Sequence, residues 1–137
     1  MKQPDEEARR RLTGEWLHKA QMDLQAAEVL LSDDPPLLFP SCFHSQQAAE
    51  KYLKAVLVHH GVDFPKTHDI QEILDLLAPI NPRLVQSVQD TIVLTQYAVE
   101  TRYPTELPDP DENETTAALA LAGKVRNAVM RALPDLS

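Results

Sequence analysis

The stretch Ser41–Gly61, SCFHSQQAAEKYLKAVLVHHG, decides how the rest of the chain is read. Placed on a helical wheel at about 100° per residue, Cys42, Ala49, Leu53, Val56 and Leu57 fall on one broad apolar arc, with Tyr52 on its flank. That arc faces a core, while His44, Gln47 and Lys51 point the opposite way, as a solvated face would. Ser45 and Gln46 fall inside the apolar arc, and Glu50 and Lys54 continue along its margin. A helix in water rarely spends core-facing positions on such groups unless a partner satisfies them.

Two readings fit this polar row. In the first, Glu50 and Lys54 form an i,i+4 ion pair on the exposed side of a bundle helix, worth a few tenths of a kcal/mol, and Gln46 bonds to a neighbouring helix. In the second, the row lines a polar seam where a ligand or partner is held.

Composition bounds the answer. With 137 residues and 43% hydrophobic content the chain makes one small domain around one core. No apolar run approaches the roughly 18 residues that span a membrane. The N-terminus, MKQPDEEARRR, lacks the apolar region of a secretory signal, so a cytoplasmic, membrane-free protein is expected. Cys42 is the single cysteine, which excludes an intramolecular disulfide and Cys-based zinc patterns; no metal or cofactor is expected. The formal net charge of −8 opposes unaided binding to nucleic acid, so RNA would meet a local basic patch or a partner protein.

Prolines mark the element boundaries. A first helix is expected from Thr13 to about Leu31, with Trp16, Leu17, Ala20, Leu24, Ala27 and Leu31 as its stripe and residues 1–12 as a tail. Lys19 and Asp23 read as a surface pair beside that stripe. After the Pro-rich loop Ser32–Pro40 comes the helix quoted above, closed by Gly61; His59 and His60 in its last turn read as structural. A third helix is expected with Thr67 as N-cap and His68 at N1, where Asp69 would fix the imidazole tautomer. A fourth starts with Asn81 and Pro82 as N-cap and N1 and runs to about Arg102, with Leu84, Val85, Val88, Ile92 and Val99 inward. On that wheel Arg102 shares the inward direction and needs an acceptor, Glu50 first and Asp23 second. The acidic loop TELPDPDEN follows, and a last helix opens at Asp111–Asn113, where Asp111 and Glu114 have capping-box spacing, and runs through Leu133. The fold class is all-α, an up-and-down bundle of about five helices over residues 13–134.

The run FHSQQAAEKYLKAVL, Phe43–Leu57, followed by KTHDI, Lys66–Ile70, resembles the HEPN family of small helical domains, over about Trp16–Leu133. AAEKYLKA is distinctive as a whole, whereas KTHD or RYP alone is weak. The resemblance implies a bundle that pairs into a homodimer and works beside a minimal nucleotidyltransferase, as its substrate-binding or toxin-antitoxin companion. It also implies a place for ribonuclease chemistry. Metal-independent ribonucleases of the family carry an Arg followed a few residues later by His near the last helix. Arg102 stands in about that place, but no His follows His68. Without that His the motif lacks an obvious general base for a ribose hydroxyl. The chain therefore reads first as a nucleotide- or partner-binding module using Gln46, Glu50, Lys54, Arg102 and Tyr103. Two alternatives stand beside it: a diverged ribonuclease using Arg102, Tyr103 and His68 or His44, and a purely structural oligomerisation domain.

Overall fold

The computed structural model describes residues 5–98 and 108–136. Among them are five α-helices, α1 (Glu6–Ser32), α2 (Leu38–His59), α3 (Ile70–Leu77), α4 (Pro82–Ser87) and α5 (Glu112–Ala132). A 3-10 segment spans Gln89–Tyr97, and a 3-10 turn, Pro134–Leu136, follows α5. No strand occurs among the described residues.

α2 is the centre of the bundle. It packs along α1 and α5 and also meets α3 and the 3-10 segment, and Ala48–Glu50 and Tyr52–Leu57 are all buried. Small residues on the surrounding helices, Ala20 and Ala27 on α1 and Ala118, Ala122 and Ala128 on α5, let the helix axes approach it closely. Ser41 at its start donates to the Ala27 carbonyl at 2.8 Å, tying it to α1. Its end is a Schellman motif. Gly61 takes φ 68°, its N–H reaches the Val58 carbonyl, and the Val62 N–H reaches that of Leu57.

Element boundaries shifted where local chemistry outweighs the apolar pattern. α1 starts at Glu6, well ahead of Thr13, because Asp5 caps it by accepting from the Ala8 N–H at 2.7 Å and Glu6 and Glu7 occupy its first turn. α2 starts at Leu38 and includes Pro40, which the first turn of a helix tolerates. The N-cap of α3 is Asp69, whose carboxylate accepts from the Gln71 N–H, so His68 lies before the helix and not at N1. Thr67 instead donates its hydroxyl to Glu72 and accepts from the Asp69 N–H.

The expected fourth helix is two pieces. Asn81 and Pro82 open it as N-cap and N1, but α-geometry ends at Ser87 and a 3-10 segment continues. Val88, Thr91, Leu94 and Tyr97 are buried at every third position, the repeat of a helix with three residues per turn. A wheel drawn at α-helical spacing from Leu84 to Arg102 loses its phase here, so the inward direction read for Arg102 does not follow. Val99, Arg102 and Tyr103 lie outside the described residues. At α5, Asp111 accepts from the Glu114 N–H at 2.7 Å, while the Glu114 carboxylate is taken by the Tyr97 hydroxyl instead of closing a capping box. No helix among the described residues is long and apolar enough to cross a membrane.

Candidate functional site

The polar row of α2 is buried. Gln46 is 0% exposed, Glu50 3% and Lys54 6%, so the i,i+4 pair exists but is not a surface pair. Glu50 Oε1 accepts from Lys54 Nζ at 2.7 Å and Oε2 from Gln46 Nε2 at 2.8 Å. A buried ion pair is tolerable only when further hydrogen bonds complete both ions, and each ion here has them. The Lys54 ammonium also donates to the Thr67 carbonyl at 2.8 Å. It sits 5.8 Å from the Trp16 ring centre and 5.6 Å from that of Phe64, two rings packed edge to face.

All three buried groups reach the same short loop. Lys54 holds the Thr67 carbonyl, Gln46 Nε2 lies 3.2 Å from the His68 carbonyl, and both Glu50 oxygens lie 3.1 Å from His68 Nδ1. One residue further on, the Ile70 N–H donates to the Thr95 hydroxyl at 3.1 Å. The loop is pinned through backbone and side chain, yet the His68 side chain is 65% exposed. Glu50, paired with Lys54, accepts hydrogen bonds only, so His68 Nδ1 carries a proton and the outer nitrogen, Nε2, points its lone pair away from the carboxylate in the neutral ring. Glu50 therefore performs the orienting role expected of Asp69.

Sequence reasoning brought Gln46, Glu50, Lys54 and His68 forward, and the fold gathers all four. Arg102 and Tyr103, the remaining candidates, lie outside the described residues, as does any contact of Arg102 with Glu50 or Asp23. The Thr67 carbonyl was not legible as a site group, since a backbone acceptor has no sequence signature. Gln47, expected in water, donates to Gln46 Oε1 at 2.5 Å and approaches Glu50.

His44 and Lys51 were also assigned to a solvated face, and both lean onto α1. His44 Nδ1 lies 2.8 Å and Lys51 Nζ 2.5 Å from the Asp23 carboxylate, which therefore does not pair with Lys19. Near the described ends of the 99–107 stretch, burial pushes the Tyr97 phenol far up, reinforced by its hydrogen bond to Glu114. Burial likewise raises Tyr52, against the opposing Arg126 charge, while its hydroxyl donates to Gln21 at 2.9 Å. Among the described residues no group of three His, Cys, Asp or Glu side chains is arranged to hold a metal ion.

Comparison with known proteins agrees with this architecture. The HEPN domain family model matches residues 13–133, and the chain belongs to that family. A crystal structure of TT1696 from Thermus thermophilus is similar at 30% identity and a TM-score of 0.70, covering 87% of this chain and 96% of that one. No protein of curated function matches. Family membership supports a nucleotide- or RNA-related role in general terms.

Proposed function

We propose that this chain is a nucleotide- or partner-binding HEPN module that acts as the companion of a minimal nucleotidyltransferase in a toxin-antitoxin type pair. The binding surface is centred on the exposed His68, which the buried Gln46, Glu50 and Lys54 hold in position, with Arg102 and Tyr103 as further candidate residues. One observation carries this reading: three buried polar side chains, costly to desolvate, converge on Thr67 and His68 and leave a single imidazole outside. A bundle that needed only stability would fill these positions with apolar groups. The acidic chain suits a protein partner better than bare RNA, because like charge repels the phosphate backbone.

Binding is tested by following the His68 ring proton by NMR during additions of AMP and of a short RNA. A saturable shift at His68 with His18 unmoved is expected, and its absence removes the nucleotide-binding reading. Co-purification with a nucleotidyltransferase encoded beside this chain tests the companion role. Homodimerisation is expected from apolar stripes on every helix. Light scattering at micromolar concentration should give twice 15.4 kDa, and a monomer mass that persists on concentration refutes it.

A specific observation also favours the second reading, a diverged metal-independent ribonuclease. His68 held by Glu50 is a proton acceptor of the kind the motif after Arg102 lacks. Cleavage of labelled RNA in chelator by the wild type, lost in both His68→Ala and Arg102→Ala, would replace the binding module with the enzyme.

A further inference from the structure

The site's outward chemistry is narrower than its residue list. The Glu50 carboxylate is taken by Lys54, Gln46 and His68, the Lys54 ammonium by Glu50 and the Thr67 carbonyl, and the Thr67 hydroxyl by Glu72. Gln47 turns its amide nitrogen back toward Gln46 and Glu50. Among the described residues of this cluster, His68 Nε2 is the atom at its solvent end that is fixed by buried groups and still unspent. The protein has therefore prepared a hydrogen-bond acceptor of fixed direction, because a proton held on Nδ1 by Glu50 leaves the neutral ring its lone pair on Nε2.

We propose that His68 Nε2 receives a ribose hydroxyl, so that this site distinguishes ribonucleotides from their deoxy counterparts; the proposal rests on the nucleotide-binding reading above. The choice of ligand group follows from donor and acceptor inventory. Phosphate oxygens accept and cannot pair with a lone pair. Base N–H groups donate, but their position changes from base to base. The ribose hydroxyls are donors common to all ribonucleotides, and the 2′-hydroxyl is the group by which proteins separate RNA from DNA. The buried network prepares one acceptor and spends its own cation, Lys54, on Glu50 and the Thr67 carbonyl, so the group it presents suits a donor such as a sugar hydroxyl. Gln46, Glu50 and Lys54 act as positioning residues: they hold the loop and the ring and do not touch the ligand.

The experiment is an NMR titration of the folded full chain at pH 8, on the alkaline side of the ordinary imidazole range, with AMP, 2′-deoxy-AMP, 3′-deoxy-AMP and UMP. His18, His44, His59 and His60 serve as internal references. AMP and UMP should bind with similar affinity, and at least one deoxynucleotide should bind roughly 10-fold more weakly, the loss expected when a prepared polar group is left without its partner. His68→Phe, a change at an exposed position, should bring AMP and the deoxynucleotides to the same affinity. Glu50→Gln should reduce the discrimination while His68 stays in place, because an amide can also donate to Nδ1 and so permit the other tautomer.

Equal binding of AMP and both deoxynucleotides overturns the proposal and leaves nucleotide binding intact. Discrimination that survives in His68→Phe, or that follows the base and not the sugar, also overturns it. No saturable response to any nucleotide removes the binding reading and this inference together.

Discussion

Two charged clusters lie on different faces of α2, and they differ in where they end. On the α1 side, Asp23 takes both His44 and Lys51, so one helix is clamped to the next. The groups are partly open, with side-chain exposures of 13% for Asp23, 26% for Lys51 and 33% for His44. On the α3 side, the side chains of Glu50 and Lys54 are 4% and 7% exposed, and their remaining hydrogen bonds go to Gln46 and to a loop. The first cluster joins two elements that apolar packing already joins. The second spends buried charge on a loop whose described output is one exposed imidazole. A charged group inside a fold signals function less by being buried than by what it holds.

Breaking each cluster should separate these roles. The largest effect is expected from Glu50→Ala, which leaves the Lys54 ammonium in the interior without its counter-charge and should cost about 3 kcal/mol. Urea denaturation followed by circular dichroism measures it; a loss no larger than that of a surface substitution would mean that water enters the cluster. A calibration between the two clusters comes from Tyr97→Phe, which removes the hydrogen bond to the Glu114 carboxylate and should cost about 1.5 kcal/mol in the same assay.

The α1 clamp should matter least at neutral pH. Asp23→Asn weakens two partly solvated pairs, and below about 1 kcal/mol is expected. A loss matching that of Glu50→Ala would erase the contrast between the clusters. Alkaline titration supplies the finest distinction. The folded-state values of Tyr52 and Tyr97 are raised, so their contribution is complete below about pH 10 and is lost as the pH rises from there toward the folded values. Wild type should therefore lose stability above about pH 10, and Tyr97→Phe should lose it less steeply, since the share of Tyr97 is removed while that of Tyr52 stays. Parallel curves would remove Tyr97 from that linkage.

The amino-acid sequence by itself determined the all-α class, the central place of α2 and the family. Those features rest on local periodicity and on a contiguous run, Phe43–Leu57, that neighbours in the chain suffice to express. It also marked Gln46, Glu50 and Lys54 as out of place, because helical spacing alone put them on or beside an apolar arc. Capping at Asp111 and at Asn81 was readable for the same reason, one side chain bonding a backbone N–H three residues away. The start of α1 at Glu6 was less so, since charge and an Asp5 cap produced a helix where no apolar stripe exists.

Only the tertiary structure decided which groups met. Asp23 chose between Lys19 on its own helix and Lys51 on the next, and packing of α1 against α2 brought the second within reach. His68 chose between its neighbour Asp69 and Glu50, 18 positions earlier in the chain; Asp69 was drawn away by capping α3, and the buried carboxylate took the imidazole. The repeat at Val88, Thr91, Leu94 and Tyr97 was present in the sequence, but its meaning depended on the core it faced, which favoured a three-residue turn over an α-helix. Periodicity is a property of neighbours along the chain, whereas a polar group's partner is set by which surfaces the apolar core has already forced together.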